Sequence, residues 1–192
     1  MESLLVSTGV VALAEIGDKT QLLAFLLAAR FKKPLPIILG ILLATLVNHG
    51  LAGALGAWIT TNVSPEVLRW VLGLSFIGMA VWTLIPDKIE EEESLIAQKL
   101  GVFGATLVTF FLAEMGDKTQ VATVALAAHY AAPLLVVIGT TLGMLIADVP
   151  AVFAGDKLAA KIPMRLVHAI AAGVFAVLGV MTLLGAGTGF GF

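Results

Sequence analysis

Two short stretches carry most of the chemistry that a buried site in this chain could use. Glu15-Ile16-Gly17-Asp18-Lys19-Thr20-Gln21 recurs as Glu114-Met115-Gly116-Asp117-Lys118-Thr119-Gln120, 99 positions later. Within each copy the acids stand three residues apart, which puts them on one face of a helix. The available donors are four carboxylates, the hydroxyls of Thr20 and Thr119 and the amides of Gln21 and Gln120. The motif holds no His and the chain no Cys. Such a hard-oxygen set suits Mn²⁺, Ca²⁺ or Mg²⁺ better than Zn²⁺ or copper. Met115, which stands where the first copy has Ile16, is read as packing rather than as a sulfur ligand. No serine or histidine accompanies the motifs as a nucleophile and its base would, so hydrolytic chemistry is the weakest reading and the chain is taken not to be an enzyme.

Charge sharpens the metal reading. If the four acids ionise and Lys19 and Lys118 point inward, the constellation carries -2, which one divalent cation neutralises. With the lysines turned outward it carries -4. Crowded carboxylates also take up protons, so protons compete with metal for the site.

The elements that must position these residues are membrane spans. Of 192 residues 59% are hydrophobic and 12% charged, with a mean hydropathy of +1.05, far from an ordinary soluble domain. The net charge of -2 comes without a basic block, so nothing argues for a nucleic-acid partner. Apolar stretches able to cross about 30 Å of hydrocarbon at about 1.5 Å per residue cover residues 4–29, 35–60, 67–85, 101–128, 134–154 and 166–184. Pro34, Pro36, Pro65, Pro86, Pro133 and Pro163 mark the joints, whereas Pro150 falls inside the fifth span and should kink it. The start has no basic n-region, so the first stretch is read as a span and not as a cleaved signal. Arg30, Lys32, Lys33, Lys88, Lys99, Lys157, Lys161 and Arg165 fall on one side of the six-span arrangement and only Arg69 on the other. That bias puts the first side in the cytoplasm and both termini outside it.

The motif is the centre of a longer repeat. At the same offset Ala28-Ala29 meets Ala127-Ala128, Phe31 meets Tyr130, Pro34 meets Pro133, Gly40 meets Gly139 and Phe76 meets Phe175. Repeat one covers about 1–86, an acidic linker about 87–100, repeat two about 101–186 and a glycine-rich tail 187–192, all within one transmembrane domain. Each copy holds three spans, an odd number, so the fold expected is an all-α membrane protein of six helices in two inverted three-helix repeats, with a site near the midplane. Gly17 and Gly116 permit a local helix break that would turn backbone carbonyls and the Thr20 and Thr119 hydroxyls toward the acids. An ionised carboxylate in an apolar span costs at least a few kcal/mol, so four of them need partners or a function. A self-satisfied ion-pair knot is the bland alternative, and two matching cassettes in inverted halves argue against it.

Five further polar residues, Asn48, His49, His129, Asp148 and His168, sit inside the spans or at their ends. Asp148 aligns with His49, and Ala147 with Asn48. Asp148 is read as lying near the cation or a proton path, or else as a structural hydrogen-bonding group near Pro150. His49 is a candidate proton relay or a packed imidazole. With Lys19, Lys118 and Asn48 these residues form the set for charge balance or proton coupling. His129 and His168 are expected to be solvated, Gly50, Gly53, Gly56, Gly139 and Gly143 to pack helices, and Glu90 to Glu93 to be a solvated linker.

These features resemble the Gdt-type membrane proteins, defined by two E-x-G-D-[KR]-[TS] motifs in two three-helix halves. The resemblance covers essentially the whole chain, and both motifs appear without departure, as EIGDKTQ and EMGDKTQ. It implies manganese or calcium transport by cation/proton antiport, with manganese export by bacterial members, and Glu15, Asp18, Glu114 and Asp117 match the motif acids. The expectation is therefore a secondary transporter in a bacterial cytoplasmic membrane. It would exchange Mn²⁺, or alternatively Ca²⁺, for protons and hold no tightly bound cofactor. An exporter of cationic amino acids and an uncoupled channel or metal-sensing scaffold are the rival readings.

Overall fold

The computed structural model describes residues 1–85, 100–154 and 164–185. The readings made for Glu90 to Glu93, for Lys88, Lys99, Lys157 and Lys161 and for the tail at 187–192 lie outside the described residues. The described chain is helical: α1 (Glu2–Glu15), α2 (Lys19–Phe31), α3 (Pro34–Asn62), α4 (Pro65–Thr83), α5 (Gly101–Glu114), α6 (Lys118–Tyr130), α7 (Pro133–Ala154) and α8 (Met164–Leu183).

Local chemistry explains the boundaries. Pro34, Pro65 and Pro133 open their helices, where the missing N–H has no intrahelical partner in any case. Helices α2 and α6 end on left-handed residues, Lys32 at φ 52° and Ala131 at φ 46°, which stand at equivalent repeat positions. Helix α7 continues through Pro150 to Ala154.

The stretches 4–29 and 101–128, expected as single helices, are each divided in two at the motif. Gly17 has φ 86° and Gly116 φ 79°, a conformation that costs an L side chain roughly 1–2 kcal/mol. Asp18 and Asp117 follow in extended backbone and accept the N–H of Lys19 and Lys118, capping α2 and α6. A half-helix of 13 or 14 residues reaches only about 20 Å. Among the described residues four helices are long and apolar enough to cross a membrane: Pro34–Asn62, Pro65–Thr83, Pro133–Phe153 and Leu166–Leu183.

The distribution of side chains is inverted relative to a soluble protein. Leu51 is 60%, Leu74 59% and Phe153 67% exposed, while Glu15, Glu114 and Asp148 are fully buried. Lipid is the solvent that makes this arrangement stable.

The packing follows the repeat. Helix α1 lies against α7 and α5 against α3, α2 meets α7 as α6 meets α3, and the equivalent helices α4 and α8 pack on each other. A Cβ at Gly139 would stand 2.6 Å from the Leu4 carbonyl, and one at Gly40 2.7 Å from Thr106, so both positions admit only glycine. Around Gly50 nothing lies within 4 Å, so that residue is not part of the expected packing face. Gly73 faces Leu183 while Gly179 faces Ile77, which makes α4 and α8 antiparallel. Phe76 and Phe175 are both fully buried in one core cluster.

Candidate cation site at two helix breaks

Each motif first satisfies its own break. The Gly17 N–H donates to Gln21 Oε1 at 2.9 Å and the Gly116 N–H to Gln120 Oε1 at 2.8 Å. The Thr20 hydroxyl donates to Glu15 Oε2, and the Thr119 hydroxyl to Glu114 Oε2 at 2.8 Å. The breaks thus turn the hydroxyls onto the glutamates, as the motif predicts.

The motifs then reach across to one another. Lys118 Nζ lies 2.8 Å from Asp18 Oδ2, and Lys19 Nζ 3.5 Å from Asp117 Oδ2. Gln21 donates its amide to the Ala147 carbonyl at 2.9 Å. Gln120 donates to Asn48 Oδ1 at 3.3 Å, and Asn48 in turn to the Phe111 carbonyl at 3.0 Å. Ala147 and Asn48 are repeat equivalents, so both glutamines dock on the same place in the opposite half.

All four motif acids, Thr20, Thr119, Gln21 and Lys118 are buried, and Gln120 is half-buried. Glu15 lies within electrostatic range of Glu114 and Asp148, and Glu114 within range of Asp148. Both lysines point inward, so with all groups ionised the motif acids and lysines together carry -2 (four acids less two lysines). The acceptors left over are few. Glu15 Oε1, Glu114 Oε1 and both Asp148 oxygens take no hydrogen bond among the described residues. In this arrangement no three His, Asp or Glu side chains among the described residues form a closed metal-ligand group. The aspartates are held by ammonium groups, so a cation using them must displace a lysine. The C-terminal ends of α1 and α5, which carry negative dipole ends, stand at the same breaks and favour a cation there.

The remaining residues divide. His49 is fully buried, with Nε2 4.0 Å from Glu114 Oε2. Asp148, its repeat equivalent, is fully buried within range of Glu15. His168, expected to be solvated, instead lies 3.1 Å from the Ile16 carbonyl and bridges α8 to the first break. The signal for it in the sequence was weak: its repeat equivalent is Arg69, which stacks over Trp70. His129 is likewise packed, edge-on to Phe76 at 6.0 Å and to Tyr130 at 4.8 Å.

The family described as divalent cation/proton antiporter GDT1 matches the chain twice, over residues 3–91 and 102–189. A protein of Vibrio cholerae serotype O1 named "Putative manganese exporter" is 52% identical over 183 residues, which is 95% of this chain and 90% of its own. GDT1-like protein 3 of Oryza sativa is 31% identical, over 91% of this chain and 71% of its own length. GDT1-like protein 5 of Arabidopsis thaliana is 29% identical, over 90% of this chain and 91% of its own. No solved structure matches. Each matched segment contains one complete motif with its helix break, and the chain belongs to the divalent cation/proton antiporter GDT1 family.

Proposed function

We propose that this protein exports Mn²⁺, with Ca²⁺ as the second candidate ion, in exchange for protons, through one site built from both motifs. The observation that carries this reading is the crossed pairing of Lys118 with Asp18 and Lys19 with Asp117, which ties the two motifs into one buried cluster. Glue alone would consume the whole cluster, yet each glutamate keeps an oxygen without a partner among the described residues.

In this reading the broken helices α1–α2 and α5–α6 each cross the membrane as one span and complete six crossings with α3, α4, α7 and α8. The antiparallel packing of the equivalent helices α4 and α8 supports two halves related by an axis in the membrane plane. The linker near 87–100 joins the halves in sequence, and the two form a single transmembrane domain. Arg30, Lys32 and Lys33 put the loop after α2 in the cytoplasm, and both termini outside.

Mn²⁺ enters from the cytoplasm and engages Glu15 and Glu114 while displacing the lysines from Asp18 and Asp117. Its two charges neutralise the -2 of the motif acids and lysines. Thr20, Thr119, Gln21 and Gln120 supply or orient the neutral oxygens. After the halves rock, protons from the outer side take over carboxylates of the cluster, Asp148 among them, and the metal leaves. The lysines then re-pair with the aspartates, the protonated site returns to face the cytoplasm, and the protons leave there before the next Mn²⁺ binds.

Proteoliposomes with a manganese-sensitive dye test this. Outward-directed Mn²⁺ flux should rise when the receiving side is made acidic. Flux indifferent to both pH and sodium gradients would mean a channel, and metal-free flux of arginine or lysine would mean an amino-acid exporter. The chain has no Cys, so topology is tested by single substitutions. Lys33→Cys should label only from the cytoplasmic side and Ser64→Cys only from the other; the reverse pattern would overturn the orientation.

A further inference from the structure

The two halves of the cluster differ most at one pair of equivalent positions, His49 on α3 and Asp148 on α7. The His49 ring is fully buried, and neither of its nitrogens has a hydrogen-bond partner among the described residues. Its neighbour Asn48 is committed in both directions, to the Phe111 carbonyl and to Gln120. Glu114, 4.0 Å from His49 Nε2, takes the Thr119 hydroxyl on Oε2 and keeps Oε1 without a partner among the described residues. A buried imidazole lacking both hydrogen bonds and standing beside a half-satisfied carboxylate is costly unless something joins the two. Ligands at bonds of about 2.1 Å lie at most about 4.2 Å apart across one ion, so the observed separation admits a cation between His49 and Glu114. The opposite half offers only oxygen, from Asp148 and Glu15.

Resting on the transport reading above, we infer that His49 supplies one nitrogen ligand to the transported ion, beside Glu114, and that this nitrogen sets the preference for Mn²⁺ over Ca²⁺ and Mg²⁺. Calcium and magnesium take oxygen ligands, whereas an imidazole adds affinity for first-row transition ions. A single nitrogen in a carboxylate set discriminates against calcium without building the multi-histidine site that would retain zinc or copper. His49 is therefore a specificity-determining ligand.

The test is pulsed electron paramagnetic resonance of Mn²⁺ on the purified full-length protein, which detects a nitrogen nucleus bound directly to the metal. Wild-type protein should show imidazole modulation. His49→Asp, which gives the first half the same carboxylate as the second, should bind Mn²⁺ without that modulation. By calorimetry its ratio of Mn²⁺ to Ca²⁺ affinity should fall roughly tenfold. His129→Gln and His168→Gln should keep both signals. Should His49→Asp not fold, His49→Gln takes its place, since it keeps the bulk but removes the ring. Mn²⁺ bound by the wild type without nitrogen modulation, or modulation that survives in the His49 variants, overturns this inference alone. A wild type that binds no Mn²⁺ overturns the transport reading and this inference with it.

Discussion

The two helix breaks share six of seven motif residues yet do not sit in the same surroundings. At the second break Lys118 is 1% exposed and 2.8 Å from its aspartate; at the first, the Lys19 side chain is 27% exposed and 3.5 Å from its partner. The carbonyl of Ile16 receives His168, whereas Met115, its equivalent, is 53% exposed. His49 stands by Glu114 where Asp148 stands near Glu15. These differences are of two kinds. In a transporter with inverted halves, the unequal burial of the lysines belongs to one conformation and would exchange as the halves rock, whereas the His168 contact has Arg69 at the equivalent position and would not. The His49/Asp148 difference is written in the sequence and persists in every state. A duplicated site can thus be symmetric in its anchoring and asymmetric in its chemistry.

The comparison yields a ranked set of expected effects. Largest is the loss of either glutamate: Glu15→Gln or Glu114→Gln should each bring Mn²⁺ flux in proteoliposomes to background, with the double variant no worse, because one shared site cannot be half-removed. Additive partial losses would break the equivalence of the halves as parts of one site.

Next come the lysines, which should separate the halves. Lys118→Ala leaves Asp18 buried without its 2.8 Å ammonium partner and should destabilise by about 3–5 kcal/mol. Lys19→Ala also leaves its aspartate buried, but Lys19 is partly exposed and the pairing longer, so the loss should be smaller, about 1–3 kcal/mol. Thermal unfolding in detergent reads both, and equal losses would show that the lysine asymmetry is not a property of the molecule in solution.

The glycines should behave alike. With φ 86° at Gly17 and 79° at Gly116, alanine at either position should lose roughly 1–2 kcal/mol. A large loss at one glycine and none at the other would mean that one break is dispensable.

Smallest are the glutamines. Gln21→Leu removes a 2.9 Å bond to the Ala147 carbonyl and the acceptor of the Gly17 N–H, for about 1 kcal/mol. Gln120→Leu, with a 3.3 Å bond from a half-buried position, should lose less, and the reverse order in the same melts would contradict the geometry.

What could be read from the sequence was mostly local. The repeat, the helix breaks at Gly17 and Gly116 and the turn of Thr20 and Thr119 onto the glutamates follow from spacing and from glycine's freedom at positive φ. The extent of the break, an extended residue between two separate half-helices, was harder to see, because apolar composition measures length and not backbone direction. The long-range contacts were not legible. Whether Lys19 and Lys118 point inward depends on where the other motif sits, and spacing alone left both charge states, -2 and -4, open. His168 looked like a solvated residue near a span end, and only the packing of α8 brings it to the Ile16 carbonyl. His129 is half-buried for the same reason, since Phe76, far away in sequence, supplies one of the rings packed against it.

The central claim is that both motifs build one cation site, and metal stoichiometry tests it most directly. Calorimetric titration of purified protein with Mn²⁺ should give one ion per chain for the wild type. Asp18→Asn and Asp117→Asn keep size and an oxygen donor but remove a charge, and each should weaken that single event severely. Two ions per wild-type chain, with each single variant retaining one, would contradict the account.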